Sequence, residues 1–179
     1  EGHVALSASN DDGETWSEPR LLHENEGWHV MPQGGINLIS DDLVRLIVGG
    51  IKLDFSLGGP EPFTACYASP MDSYDAGETW SEPGPEISLF PEWTEVYGAS
   101  NPHKLSDGRL MWAAIGTMGR DDQWHCGVTF TDAEGNGYTK PSVIAYAPDR
   151  NYADTDVVLL DDGRYLAVIR ELNDKDSWY

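Results

Sequence analysis

Apolar residues in this chain come in short runs, each cut off by Gly, Asp or Pro. Leu43–Val48, Met111–Ile115 and Ala167–Ile169 are clear examples. None keeps the three-and-four spacing of a helix face. Short apolar runs bounded by turn residues predict β-strands. A turn signal stands before each run. Lys104-Leu105-Ser106-Asp107-Gly108-Arg109-Leu110 precedes the second, and Leu159-Leu160-Asp161-Asp162-Gly163-Arg164-Tyr165-Leu166 precedes the third. A looser version, Asn37-Leu38-Ile39-Ser40-Asp41-Asp42, precedes the first. Each predicts a strand, an Asp-Gly-type hairpin turn and a second strand. The chain is therefore expected to be all-β.

A second element recurs between these hairpins. Ser9-Asn10-Asp11-Asp12-Gly13-Glu14-Thr15-Trp16-Ser17-Glu18-Pro19 returns as Ser73-Tyr74-Asp75-Ala76-Gly77-Glu78-Thr79-Trp80-Ser81-Glu82-Pro83, 64 residues later. A decayed third copy begins 58 residues further on and runs from Thr131 to Pro141. It keeps Gly135 but has Ala133 for the Asp and Tyr138 for the Trp. The repeating unit reads as two apolar strands, a third strand, the Ser-x-Asp-x-Gly-x-Thr-Trp box and a short fourth strand. Four strands per repeat of this length predict blades of a β-propeller. The end of one blade is expected at 1–20, whole blades at 26–88 and 94–145, and the start of another at 150–179. That is about three to three and a half blades, too few to close a ring alone. The remaining blades are expected from a longer parent chain or from other copies.

Within each box, Asp11 or Asp75 is expected to accept N–H groups of its own turn. Gly13 and Gly77 are expected to supply positive φ. Thr15 and Thr79 enter a strand. Trp16 and Trp80 are expected to pack between sheets as apolar wedges. The box is thus structural. Its spaced acids loosely echo a calcium loop, but the downstream Glu ligand of such loops is missing, so no metal is expected.

Composition narrows the function classes. Among the 179 residues are 31 acidic and 11 basic ones, giving a net charge of −20. Such a chain repels phosphate backbones and anionic lipid, so neither nucleic-acid nor membrane binding is expected. No apolar run is long enough for a membrane-spanning helix. Cys66 and Cys126 are too few for a disulfide framework; they read as small buried residues, with a bridge or a reactive thiol as alternatives. No histidine has metal-type spacing, and no phosphate loop or nucleophile elbow occurs, so no cofactor is expected.

The boxes, and three further segments in order, resemble the sialidase superfamily, whose members carry such boxes on a six-bladed propeller. Met31-Pro32-Gln33-Gly34-Gly35-Ile36-Asn37-Leu38 resembles the opening of the family's second blade. Asn101–Leu110 resembles a third-blade inner strand. Asp154-Thr155-Asp156-Val157-Val158-Leu159-Leu160-Asp161-Asp162-Gly163, continuing to Arg170, resembles a fourth-blade stretch. In that family the stretch carries a Glu that polarises a tyrosine nucleophile and, about sixteen residues on, an Arg that clamps the substrate carboxylate. The resemblance puts Asp154 at the catalytic Glu position and Arg170 at the Arg position. A guanidinium suits a carboxylate, and a carboxylate beside a tyrosine can strengthen it as a nucleophile. Asp in place of Glu is one methylene shorter. Asp156, two residues on, shares the strand face. Arg170 can also be read as a structural ion pair with an acid such as Glu171.

The resemblance implies an extracellular or periplasmic exo-glycosidase that removes a terminal carboxylate-bearing sugar from a glycan. The tyrosine and the other arginines of that family lie in blades outside these 179 residues, so the segment alone is expected to be inactive. Asn101 and His103, at the start of an inner strand, are candidate substrate contacts. Trp93, Trp112, Trp124 and Trp178 stack on sugars or, more commonly, pack. The alternatives are a non-catalytic propeller that binds glycans or proteins, and a propeller glycosidase or lyase for another sugar.

Overall fold

The structure is a computed structural model. It describes residues 2–54, 56, 63–88, 90, 92–97, 101–119, 123–132, 136 and 141–172. Much of the decayed third box, and Trp178, lie outside these residues. Twelve strands and no α-helix occupy them. They are β1 (Val4–Leu6), β2 (Arg20–His23), β3 (His29–Ser40), β4 (Leu43–Leu53), β5 (Phe63–Ser73), β6 (Glu95–Tyr97), β7 (His103–Lys104), β8 (Leu110–Thr117), β9 (His125–Thr131), β10 (Ser142–Ala145), β11 (Asn151–Leu159) and β12 (Tyr165–Leu172). The all-β expectation holds. Every pairing between these strands is antiparallel.

Four sheets follow one another along the chain: β1–β2, β3–β4–β5, then β6 and β7 with β8–β9–β10, and finally β11–β12. In the second sheet, residues 84–87 run beside β5 without forming a regular strand, held by Gly84 N–H to Pro70 O and Ile87 N–H to Ala68 O, both 2.8 Å.

The Asp-Gly hairpins form as the turn residues dictate. Leu105 O accepts from Gly108 N–H at 3.0 Å, and Leu160 O from Gly163 N–H at 2.9 Å. Gly108 and Gly163 take φ of 90° and 84°, the left-handed residue that closes such a turn. Asp107 and Asp162 accept the backbone N–H of Arg109 and Arg164 at 3.1 Å and their Nε at 2.8 Å.

Each intact box joins two strand segments. Asp11 Oδ1 accepts Thr15 N–H at 2.9 Å and Ser9 Oγ–H at 2.7 Å; Asp75 accepts from Thr79 and Ser73 at 2.8 and 2.9 Å. The residue before each glycine is left-handed as well: Asp12 at φ 56° and Ala76 at 57°. Hydrogen bonds hold the Asp11 carboxyl down to about 2, led by the Thr15 hydroxyl. Asp75 is lowered the same way.

The expected tryptophan wedges need correction. Trp80 is half-buried against the apolar cluster between the first two sheets. Trp16 is 64% exposed. Both indole N–H groups donate to the box's own glycine carbonyl, at 3.1 and 3.0 Å. That local bond fixes the ring over its turn whether or not a neighbouring sheet covers it.

The wedges between sheets come from strand interiors instead. Trp112 on β8, fully buried, packs with Phe90 and Trp93 against Ile39 and Ile47 of the second sheet. Val4 meets Val30, Leu46 and Val48 between the first and second sheets. Met111 and Ala113 meet Val157 between the third and fourth. Each sheet therefore buries a face against the next in chain order, and the apolar area removed from water holds the stack.

Candidate functional site

The site is built from irregularities in the first strand of each of three sheets. A β-strand alternates its side chains, so an extra residue re-aims those near it. In β3 the register shifts between Pro32 and Ile36. In the third sheet β6 and β7 both pair with β8, and Asn101 lies just before β7. In β11 the register shifts between Ala153 and Asp156. The three breaks lie opposite Val48–Leu46, Ile115–Met111 and Arg170–Val168 of the second strands.

In β3 the break is paid out by Gly35, left-handed at φ 62°. Buried Asn37 ties it down, its Nδ2 donating to Gly34 O at 3.1 Å and Gly35 O at 3.3 Å. Asn101 packs against it so closely that a Cβ on Gly35 would sit 1.6 Å from Asn101 Oδ1. In β11 the special residue is Asp154, left-handed at φ 45° without being glycine. Such a conformation costs roughly 1–2 kcal/mol and persists where surroundings fix it.

Arg170 lies in register beside Ala153. Its Nε forms an ion pair with Asp154 Oδ2 at 2.7 Å, both side chains about half exposed. The two residues at the candidate catalytic and clamp positions are thus brought together. Glu171, named as an example in the alternative reading of Arg170 as a structural ion pair, pairs with Arg150 at 3.0 Å, and the acid paired with Arg170 is Asp154.

His103 reaches across to the fourth sheet, where its Nε2 lies 3.2 Å from Asp156 Oδ1. Asp154 and Asp156 share the exposed face of β11, while Ala153, Thr155 and Val157 face inward. Beneath them lies fully buried Cys126, clustered with Ala153. Burial pushes its thiol up to about 11, and the Asp154 charge adds to the shift. Cys66 is half-buried; both thiols are free.

The arrangement joins Gly35–Asn101, His103–Asp156 and Asp154–Arg170 across three sheets. It offers one half-exposed guanidinium, an imidazole and two carboxylates to a ligand. No group of three or more metal-ligating side chains occurs among the described residues. Trp93 and Trp112 are buried in the core rather than offered to a sugar face.

The chain resembles a protein of known structure. That protein comes from Dyadobacter fermentans DSM 18053, and its crystal structure is titled as one of unknown function. The superposition has a TM-score of 0.71 at 19% sequence identity and covers 95% of this chain and 51% of that one. At that identity the likeness is one of fold. The chain spans about half the length of that relative. No protein-family model and no curated protein matches the chain.

Sequence reasoning missed the break in β3, while Cys126 is buried as its reading as a small buried residue expected. The pair Gly34-Gly35 within a strand pattern was the available signal for the break, since glycine inside a strand marks a bulge or a close approach.

Proposed function

We propose that this chain is part of a sialidase-like β-propeller exo-glycosidase, and that Arg170 receives the carboxylate of a terminal sialic-acid-type sugar. The observation that carries the reading is the Asp154–Arg170 pair on a strained bulge. A planar guanidinium suits fork-shaped recognition of a carboxylate. Asn101 and His103 supply polar contacts to the sugar's hydroxyls. In this reading Asp154 partners a tyrosine nucleophile from another blade.

A second reading has its own support. Asp154, where the resemblance expects Glu, already commits its carboxylate to Arg170. A shorter acid so engaged suits a propeller that binds an acidic sugar without cleaving it.

Titration with N-acetylneuraminic acid, followed by calorimetry, tests the binding that both readings share. Arg170→Ala is expected to weaken binding at least tenfold. Arg164→Ala, which alters an exposed hairpin arginine, is expected to leave it unchanged. Equal affinity in wild type and Arg170→Ala overturns the clamp. Release of 4-methylumbelliferone from its sialoside by the full parent protein then separates cleavage from binding alone.

A further inference from the structure

Asp156 is tied to its own strand: its Oδ1 accepts the N–H of Val157 at 2.9 Å. The same oxygen lies 3.2 Å from Nε2 of His103. A carboxylate only accepts hydrogen bonds, so Nε2 carries the hydrogen in this contact. In the neutral imidazole the other ring nitrogen is then bare. Nδ1 is therefore a lone-pair acceptor, and it takes part in no hydrogen bond among the described residues.

Two sheets aim this ring. The backbone of His103 is held in the third sheet by pairing with Met111 of β8. Its imidazole is turned by a carboxylate of the fourth. The His103 side chain is 40% exposed, so it is oriented without being covered.

Distance limits what can reach both pairs of the site. Asp154 and Asp156 are two residues apart on one face of β11. Two residues of chain span at most about 7 Å. One sugar ring with its substituents covers that separation. A sugar whose carboxylate meets Arg170 thus brings its other substituents to His103. The local charge then selects among them. Asp154 and Asp156 both repel a second anionic group. Bare Nδ1 needs a hydrogen, which a hydroxyl supplies and an ether oxygen or a fluorine does not.

We propose that His103 is a specificity-determining residue: its Nδ1 accepts a hydrogen bond from one hydroxyl of the sugar whose carboxylate Arg170 receives. Asp156 is the positioning residue that keeps Nδ1 bare. The proposal rests on the Arg170 reading above and adds the kind of substituent the site requires. It leaves the nucleophile to another blade. An acceptor aimed in this way rejects a ligand without the matching hydroxyl, because the acceptor is left unpaired. For a half-exposed group the loss is about tenfold, since water replaces part of the bond.

Calorimetry on the full parent protein tests it, with N-acetylneuraminic acid and a set of analogues that each carry fluorine for one hydroxyl. One analogue is expected to bind about tenfold more weakly than the parent sugar. His103→Phe is expected to bind the two alike. A His103 that only tied the third sheet to the fourth would weaken both ligands by one factor and leave their ratio standing. Asp156→Ala frees the ring to take either tautomer and is expected to lower the ratio. Equal binding of every analogue by the wild type, or a ratio that survives in His103→Phe, overturns the proposal. So does a long-range proton–nitrogen NMR spectrum that puts the imidazole hydrogen on Nδ1. Arg170→Ala separates this proposal from the clamp. If that variant keeps full affinity but still rejects the same analogue, the clamp fails and the His103 assignment stands. If it loses affinity while the wild type treats every analogue alike, the clamp stands and the His103 assignment fails. Absence of any binding by the wild type overturns both.

Discussion

Trp112→Ala tests whether the sheets are held together by residues from strand interiors. Trp112 is fully buried, and its neighbours Ile39 and Ile47 belong to a different sheet. Its ring sits over Gly34, where an added Cβ would come within 2.5 Å of Cζ3. Truncating a buried aromatic costs about 3–5 kcal/mol, depending on how well the site can collapse. Here collapse means moving one sheet towards another, so the estimate sits at about 4 kcal/mol. The lost indole N–H adds little. Thr131 Oγ1 gives up its 3.3 Å contact with the indole but still donates to Asp132 O at 3.1 Å. For a chain of this size, about 4 kcal/mol lowers the melting temperature by about 8–16 °C. Trp80→Ala, half-buried, is expected to cost about 1–2 kcal/mol. Trp16→Ala, 64% exposed, is expected to stay within about 0.5 kcal/mol. Urea melts of the three variants give the order directly, with an unchanged slope as the check on two-state behaviour. If Trp16→Ala destabilised as much as Trp112→Ala, the assignment of the wedges would be wrong.

Three further outcomes follow. Gly35→Ala puts a Cβ into Asn101 at a left-handed position, so it is expected to weaken sialic-acid binding at least tenfold; Gly27→Ala, left-handed in open space, is expected to leave binding alone, and equal effects would remove Asn101 from the site. The Asp11 carboxyl is held below its ordinary 3.8, at about 2, so the box's contribution to stability is complete above the unfolded value and is lost only as pH falls through about 2; a carboxyl carbon titration by NMR with a midpoint near the ordinary value would contradict the hydrogen-bond geometry. Under native conditions a thiol reagent is expected to label Cys66 and spare Cys126, which is buried and raised to about 11; rapid labelling of both would show that the floor of the site opens.

The repeats carried the architecture because each repeat is a local matter. The Asp-Gly hairpins and the boxes satisfy their own polar groups within five residues, so sequence spacing alone announces them. The same locality explains the error over Trp16. A motif repeated in two places gives its residues the same local bonds, here the indole N–H to glycine carbonyl. It does not give them the same neighbours. Trp80 has the first sheet beside it, and Trp16 has no sheet in the equivalent place among the described residues.

The site was legible in its members and not in its geometry, for a related reason. Asp154 and Arg170 could be named because their stretch resembles a sialidase blade, and a hairpin does place residues equidistant from its turn beside each other. The register from Asp156↔Val168 continued without a break would set Asp154 opposite Arg170; the shift between Ala153 and Asp156 puts Arg170 beside Ala153 instead, and the 2.7 Å ion pair spans it. A regular ladder keeps strict alternation, and a left-handed Asp departs from it without any sequence signal, since the stabilising partner lies on the other strand. The break in β3 leaves Gly35 against Asn101, which lies just before β7, while His103, paired with Met111, meets Asp156 just past the register shift in β11. The candidate site therefore draws on irregularities in the first strands of three sheets, and the sequence displays only the strands themselves.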